Sequence, residues 1–181
     1  ERVVREHRIC TLGGPAGLTP KPLWLSHTHD ALLNSYVEGE RLLTHVQKNR
    51  ISMWDAIDLA AERVVLFHAV VGEAHMDLSL MNVLADASLE NLTLIDFELA
   101  PSPNLSLAEA RLGDFLNLVE MAYKFMTPDD KQAATQRLER LFSQTLPADL
   151  RQTPFTRFMP KLSRITSDPV FRTVLFNRLH A

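Results

Sequence analysis

The chain has 181 residues, of which 46% are apolar and 23% charged, so it is long enough for one substantial core and too short for two full domains. A net charge of −3 offers no basic surface for nucleic acid. The longest apolar run, residues 64–71, is interrupted by His68 and is far shorter than a membrane span, which leaves only peripheral membrane contact open.

The cysteine content and the N-terminal residues give information on the cellular compartment of the protein. A single cysteine, Cys10, excludes an internal disulfide and favours a reducing, cytoplasmic compartment. No signal peptide is recognisable, although the start at Glu1 leaves an upstream segment open. No pattern in the sequence indicates an oligomeric state.

The N-terminal part is predicted to form one helix and two short strands. Residues 1–12 have weak helical periodicity and are followed by the breakers G-G-P-A-G. Residues 23–25 and 31–33 are short apolar strands joined by H-T-H-D at 27–30. Two histidines on such a turn lack the further ligands of a zinc site, so we interpret the segment as a polar turn.

An extended segment at 34–42 precedes a long helix. The segment reads N-S-Y-V-E-G-E-R-L, and its Gly39 is suited to a turn. S-M-W-D at 52–55 is a capping-box pattern, after which apolar residues recur every three or four positions. Gly72 suits the end of this helix, and His68 on the apolar face is interpreted as a packed core residue.

Residues 75–98 carry the pattern with most chemical information. Apolar runs at 82–85 and 92–95 are separated by turn-forming residues, which predicts a β-hairpin. That hairpin would bring Asp77, Asn82 and Asp96 to the same end. Phosphoryl transfer needs one carboxylate near the acceptor hydroxyl and further oxygen ligands for a divalent cation, and these side chains match that need.

Two motifs in this stretch resemble those of a known superfamily. The spacing H-x-D-x-x-x-x-N, formed by His75, Asp77 and Asn82, and the strand ending in I-D-F resemble the catalytic-loop and metal-binding signatures of the protein-kinase-like superfamily. Glu98 after Asp96 makes the stretch look more like the aminoglycoside and choline phosphotransferase branch. The short segment that follows is similar to that of lipopolysaccharide sugar kinases.

The resemblance implies an α+β fold of the protein-kinase-like type. Residues 1–38 would form a partial small lobe with a remnant sheet and the hinge. Residues 39–181 would form a mainly helical large lobe. Within the large lobe, the resemblance implies a catalytic β-hairpin with the catalytic loop at 75–82 and a metal-binding tip at 96–98.

By the same resemblance, ATP and Mg²⁺ are the expected cofactors. Asp77 would be the catalytic base or the carboxylate that orients the acceptor. Asn82 and Asp96 would hold the metal and, through it, the nucleotide. Backbone groups of the hinge near Ser35 and Val37 would recognise adenine.

Three further residues would support the site. His75 would brace the catalytic loop, Glu6 on the first helix would pair with an ATP-binding lysine, and Asp114 would brace the loop from a later helix. For each of them, the alternative is an ordinary packed or solvated side chain.

The rest of the chain is predicted to be helical. S-L-A-E and T-P-D-D are cap patterns that open helices at 107–126 and from 127 to about 146. Two amphipathic helices are predicted at 155–165 and 169–179.

The chain departs from the superfamily pattern in several places. Neither a G-x-G-x-x-G motif nor a strand lysine precedes the first helix, so we expect either a fragment of a kinase or a kinase that has lost that half. Ser79 stands where protein kinases have Lys and aminoglycoside phosphotransferases commonly have His. Met76 replaces an Arg of many protein kinases, and the segment after Asp96 is too short for a regulatory activation loop.

Three functions therefore stay open. The first is a phosphotransferase acting on a hydroxyl of a small molecule or sugar, which Glu98 and Met76 favour. The second is an atypical protein Ser/Thr kinase. The third is a catalytically weakened, nucleotide-binding pseudokinase, which the missing lysine favours and which Asp77, Asn82 and Asp96 disfavour.

Overall fold

The computed structural model describes residues 2–177 and shows a mainly helical chain with two small sheets. The predicted α+β class is thereby confirmed. Within the described residues, no helix combines the length and apolar character needed to cross a bilayer.

The helices and strands have the following bounds. The α-helices are α1 Arg2–Gly13, α2 Leu42–Gln47, α3 Met53–Val71, α4 Leu107–Tyr123, α5 Pro128–Gln132, α6 Ala134–Arg140, α7 Ala148–Arg151, α8 Ser163–Ser167 and α9 Pro169–Asn177. Tighter 3₁₀ turns occur at Gly14–Ala16 and Thr156–Lys161, and a π-helical turn occurs at Leu141–Thr145. The strands are β1 Pro22–Ser26, β2 Ala31–Asn34, β3 Glu40–Arg41, β4 Val83–Ala85 and β5 Leu92–Leu94.

Both sheets are antiparallel. Strands β1 and β2 form a hairpin that we call the outer hairpin, in which Leu25 lies opposite Leu32. Strands β4 and β5 form a second hairpin, here called the site hairpin, in which Val83 lies opposite Leu94. The short strand β3 pairs with the free edge of β4 and completes a three-stranded sheet.

Gly39 allows the chain before β3 to pass close to β4. Its φ angle of 139° is one that side chains rarely adopt, and a Cβ atom here would lie 2.5 Å from the carbonyl oxygen of Ala85. The pairing of Glu40 with Ala85 follows directly after this approach. A glycine is therefore required where the sequence predicts a turn.

Helices α3 and α4 form the centre of the core. Each begins with the predicted serine cap: Ser52 accepts from the backbone N–H of Asp55 at 3.1 Å, and Ser106 forms a complete capping box. Phe67 of α3 and Phe115 of α4 are fully buried. The two helices therefore provide a rigid base beneath the site hairpin.

The predicted helix from 127 to about 146 is present with one interruption, at Ala133. The chain forms α5, then α6, and then the π-helical turn. Helix α5 buries none of its side chains, whereas α6 buries Ala134 and Leu138. Ala133, between the two helices, keeps helical backbone dihedrals, and its N–H donates to the carbonyl oxygen of Asp129 at 3.0 Å.

The predicted amphipathic helix at 155–165 is present only in part. The chain instead forms the 3₁₀ turn Thr156–Lys161, which contains Pro160, and then the short helix α8. Proline has no backbone N–H and disfavours continuation of an α-helix through its position. Helix α4 ends at Tyr123, earlier than predicted, and α9 begins at Pro169 as predicted. The predicted end of α9 at 179 lies outside the described residues.

Candidate functional site

The site hairpin and the loop before it bring Asp77 and Asn82 into direct contact. The side-chain amide of Asn82 donates to the backbone oxygen of Asp77 at 2.9 Å and to its Oδ2 at 3.3 Å. The backbone N–H of Ile95 donates to the carbonyl oxygen of Asn82 at 3.0 Å, and Asp96 comes next in the chain. The predicted oxygen-bearing side chains thus lie at the same end of the site hairpin.

Asp77 is a half-buried carboxylate beside other negative charges. Burial raises its pKa, and the charges of Asp96 and Glu98 raise it further. The hydrogen bond from Asn82 acts in the opposite direction. A carboxylate with a raised pKa accepts a proton more readily, which suits a general base.

Two residues of the site have left-handed backbone conformations. The φ angle is 75° at Met76 and 70° at Asp96. Such conformations cost roughly 1–2 kcal/mol for residues with a Cβ, so neighbouring contacts have to hold them. The backbone N–H of Met76 donates to Oδ1 of Asp114 at 2.7 Å, and Phe97, next to Asp96, is fully buried.

Asp114 lies on α4 directly beneath the loop, where its carboxylate is buried. Its Oδ2 accepts the backbone N–H of His75 at 2.7 Å and lies 2.8 Å from Nε2 of His68. With the bond from Met76, this single carboxylate orients two consecutive peptide groups of the loop. Such contacts position the adjacent Asp77.

His75 joins the loop to the end of β5. Its Nδ1 accepts the backbone N–H of Asp77 at 3.3 Å, and its Nε2 lies 3.0 Å from the carbonyl oxygen of Ile95. The ring is completely buried against Phe97, and this burial lowers its pKa. A neutral ring with hydrogen on Nε2 satisfies both contacts, since one nitrogen must accept and the other must donate.

Arg5 is a site-supporting residue that the sequence interpretation missed. Its guanidinium is buried and donates to the backbone oxygen of Phe97 and, at 2.7 Å, to that of Ala74. Phe97 lies within residues 96–98 and Ala74 directly precedes the 75–82 loop, so Arg5 links both segments to α1. Arg5 lies four residues before the buried Ile9, and this helical spacing already places it on the buried face.

Glu6 faces the same end of the hairpin from α1. Burial raises its pKa, and the charge of Asp96 raises it further, while a 3.2 Å hydrogen bond from Asn34 opposes the shift. In the part of the chain that the structure describes, no lysine or arginine forms an ion pair with Glu6. Glu98 forms one, with Arg2 at 3.2 Å.

Ser35 and Val37 lie on the segment between β2 and β3. The backbone N–H of Ser35 donates to the carbonyl oxygen of Lys21 at 2.8 Å, and its hydroxyl accepts the N–H of Lys21 at 2.9 Å. Ser35 therefore extends the outer hairpin. Because β3 pairs with β4, this segment leads from the outer hairpin to the site hairpin.

The donor set of the site fits a hard cation. The amide nitrogen of Asn82 is bonded to Asp77, which leaves its oxygen as the group for a metal, and Asp96 is exposed. Over residues 2–177, no group of three or more His, Cys, Asp and Glu side chains is arranged to hold a metal ion. If one carboxylate and one amide bound Mg²⁺, its remaining coordination positions would be filled by phosphate and water oxygens, as is usual for this ion.

Neither a protein-family model nor a curated protein matches the chain. The chemistry of the site therefore has to follow from its own side chains.

Proposed function

We propose that the chain is a phosphotransferase of the protein-kinase-like type, which moves the γ-phosphoryl group of ATP to a hydroxyl of a small molecule or sugar. One observation carries the proposal: Asp77 and Asn82 are in contact, and Asp96 lies at the same end of the site hairpin. The bracing of the loop by Asp114 also supports it, because a transfer centre depends on precise positioning.

Asp77 has the role of orienting the acceptor hydroxyl and accepting its proton. Its pKa is raised by burial and by the charge of Asp96, so it takes a proton more readily than an isolated aspartate. The hydrogen bonds from Asn82 and to the ring of His75 hold its side chain and its backbone. The carboxylate is thus positioned before the acceptor arrives.

Asn82 and Asp96 are the residues that would hold Mg²⁺. The cation, when bound, neutralises charge on the phosphate oxygens. For adenine, we assign the carbonyl of Ser35 and the N–H of Val37, because the N–H of Ser35 is already bonded to Lys21.

The acceptor is assigned from the segment after Asp96. Only a short stretch separates Asp96 from α4, and it has no room for the long loop on which protein kinases bind a peptide. Glu98, in the place of a glycine, favours the small-molecule branch. An atypical protein kinase is the rival for this assignment.

One observation favours a weakened enzyme. Glu6 faces the site without a cationic partner in residues 2–177, and this partner would be the lysine that binds the ATP phosphates. Ser79 stands where protein kinases have a Lys and aminoglycoside phosphotransferases commonly a His, and its hydroxyl accepts the backbone N–H of Met81 at 3.3 Å. A nucleotide-binding pseudokinase is thus the second candidate.

The test combines calorimetric titration with MgATP and a transfer assay against aminoglycosides, choline-like alcohols, core sugars and a protein panel. Asp96→Asn should abolish metal-dependent ATP binding. Asp77→Asn should leave binding nearly unchanged and lower transfer by about 100-fold or more, since an acceptor-orienting carboxylate acts mainly in the transition state. Glu90→Gln, at an exposed carboxylate of the hairpin turn, is the matched control and should alter neither.

The outcomes separate the candidates. Metal-dependent binding without transfer to any acceptor supports the pseudokinase, and labelling of proteins alone supports the atypical protein kinase. The absence of metal-dependent ATP binding, or an Asp96→Asn variant that binds as well as Glu90→Gln, contradicts both the proposal and the rivals.

A further inference from the structure

Helix α4 contacts the catalytic loop, residues 75–82, at a second point, which lies after Asp77 in the chain. The side-chain amide of Asn117 donates from Nδ2 to the backbone oxygen of Leu78 at 2.9 Å. Asp114 accepts the N–H groups of the two residues before Asp77. Since Asp114 and Asn117 are three positions apart, they lie on the same face of the helix. We call these two residues the α4 pair.

Asn117 stands at a position where local helix preference does not favour it. Asparagine is unfavourable in a helix interior, because its side chain competes for backbone hydrogen bonds near its own position. Asn117 lies in the interior of α4 and is half-buried between the buried Leu116 and Leu118. Within residues 2–177, the hydrogen bond of its side chain goes to Leu78, 39 positions earlier. Departures from local preference are expected where a residue supports a site instead of its own helix.

The loop after Asp77 is also anchored by burial. Leu78 is fully buried, and Ser79 and Leu80 are 5% and 3% exposed. Burial of the Leu78 side chain fixes where the loop runs and leaves the direction of the next peptide group open, because rotation about the Cα–C bond turns the carbonyl oxygen. The hydrogen bond from Asn117 fixes that direction. Leu78 is thus held by both its side chain and its carbonyl group.

Asp77 lies between two restrained parts of the loop. Before it, Met76 has a φ angle of 75°, and its N–H is bonded to Asp114. After it, the carbonyl oxygen of Leu78 is bonded to Asn117. A strained backbone persists only when its surroundings hold it, and rotation of the residues after Met76 would relax the strain if that side of the loop were free. The α4 pair therefore restrains the backbone on both sides of the carboxylate.

We propose that Asn117 is a positioning residue for phosphoryl transfer, which acts through the Leu78 carbonyl to keep the Asp77 carboxylate oriented toward the acceptor hydroxyl. This inference rests on the proposed function, because it concerns the same site. In this role Asn117 touches neither the acceptor nor the nucleotide. A displacement on the order of 1 Å can lower a rate about 100-fold, so the loss of one loop-orienting bond has a measurable effect. The effect is on kcat and not on nucleotide affinity, since Asp77 acts mainly in the transition state.

Asn117→Leu tests the inference, because leucine has nearly the same size and lacks the amide donor. In a transfer assay with MgATP, kcat should fall about tenfold or more, while the affinity for MgATP changes less than about twofold. Asn117→Gln retains a donor on a longer side chain and should restore most of kcat. Gln136→Leu, at an exposed amide of α6, is the matched control and should alter neither quantity.

A second measurement does not require transfer. The side-chain amide of Asn82 donates to the Asp77 carboxylate at 3.3 Å and therefore reports where that carboxylate lies. Its NMR resonances should shift in Asn117→Leu, return toward their original positions in Asn117→Gln and stay unchanged in Gln136→Leu. Circular dichroism and urea unfolding confirm that each variant is folded. If Asn117→Leu does not fold, Asn117→Ala, which favours the helix, takes its place with the same expected results.

The outcomes separate this inference from the proposed function. If the unmodified chain transfers phosphate, a normal kcat in Asn117→Leu, or equal losses of kcat and MgATP affinity, overturns the role of Asn117 and leaves the proposed function in place. If the unmodified chain transfers no phosphate, the proposed function fails and the Asn82 resonances decide whether Asn117 positions Asp77. The same resonances in Asn117→Leu and Gln136→Leu would overturn that role.

Discussion

The outer hairpin and the site hairpin consist of similar apolar residues and have opposite environments. In the outer hairpin, Leu23 is 63% and Leu33 is 55% exposed. In the site hairpin, Val83 and Leu94 are both fully buried. The apolar pattern therefore predicts that a hairpin forms and does not tell how much of it is buried.

The difference follows from what lies beside each hairpin. The site hairpin has β3 on the edge of β4, and the backbone N–H of Leu94 donates to the carbonyl oxygen of Leu18 at 2.8 Å. The outer hairpin is a sheet of two strands within the described chain. Helix α1 contacts both, since Glu6 accepts from Asn34 at the end of β2 and Arg5 donates to Phe97 beyond β5.

The largest expected effect is on the core of the site hairpin. Leu94→Ala removes a fully buried side chain and should lower the free energy of unfolding by about 2–5 kcal/mol. Leu33→Ala is the matched change in the outer hairpin and should cost less than about 0.5 kcal/mol. Urea unfolding of both variants measures the contrast. Equal losses would show that the two hairpins do not differ in their contribution to stability.

The next effect tests whether α1 supports the site through Arg5. Arg5→Met leaves two buried carbonyl groups without their donor and should cost about 1–3 kcal/mol, with Arg5→Lys giving partial recovery. Arg8→Met is the control, because Arg8 donates to neither carbonyl; its partly exposed pair with Glu73, which Arg5 also approaches at 3.7 Å, is worth about 0–1 kcal/mol. Amide resonances at Asp96 should shift in Arg5→Met and remain in place in Arg8→Met. Shifted resonances in Arg8→Met and unchanged ones in Arg5→Met would show that Arg5 does not support the site.

A smaller effect concerns the buried ring of His75. Because burial lowers its pKa, the unfolded chain takes up a proton below about pH 6.5 that the folded chain does not. The contribution of His75 to the free energy of unfolding is therefore fully present above that pH. It decreases at lower pH, by up to about 1.4 kcal/mol per pH unit. His75→Gln should reduce this slope, as measured by urea unfolding from pH 5 to 7.5 (roughly the window of the effect). Comparison with His29→Gln, an exposed imidazole of the outer hairpin, isolates the buried ring; identical slopes would contradict the prediction.

The smallest effect concerns the charge at the tip. Glu98 contributes to the raised pKa of Asp77, after burial and Asp96. Glu98→Gln removes this negative charge, so the pKa of Asp77 should fall. Carboxyl-carbon NMR titration measures it, with Glu90→Gln at the hairpin turn as the control. An unchanged or higher pKa would show that Glu98 does not act on Asp77.

Local chemistry made several features predictable. The caps at Ser52 and Ser106 depend on bonds between residues three positions apart, so a short pattern contains both partners. The site hairpin was predicted within one residue at its ends for the same reason, since turn-forming residues separate its two apolar runs. Because the start of the hairpin was predicted correctly, Asp77 and Asn82 were expected at the same end, and the two side chains are in contact.

Other features depend on contacts between distant parts of the chain. Strand β3 is two residues long and exists because β4 offers it an open edge, so no local pattern reveals it. Arg5 had a signal in its spacing from Ile9, yet its acceptors, Ala74 and Phe97, lie far along the chain.

By itself, the sequence determined the mainly helical α+β class, the caps and the order of carboxylate and amide side chains in residues 75–98, because these follow from interactions between near neighbours. Only the tertiary structure decided which of the two hairpins is buried and that Arg5 is the cation that supports the loop. Each of these depends on the burial of a group by partners that are remote in sequence, and burial determines whether an apolar side chain or a charge stabilises the fold.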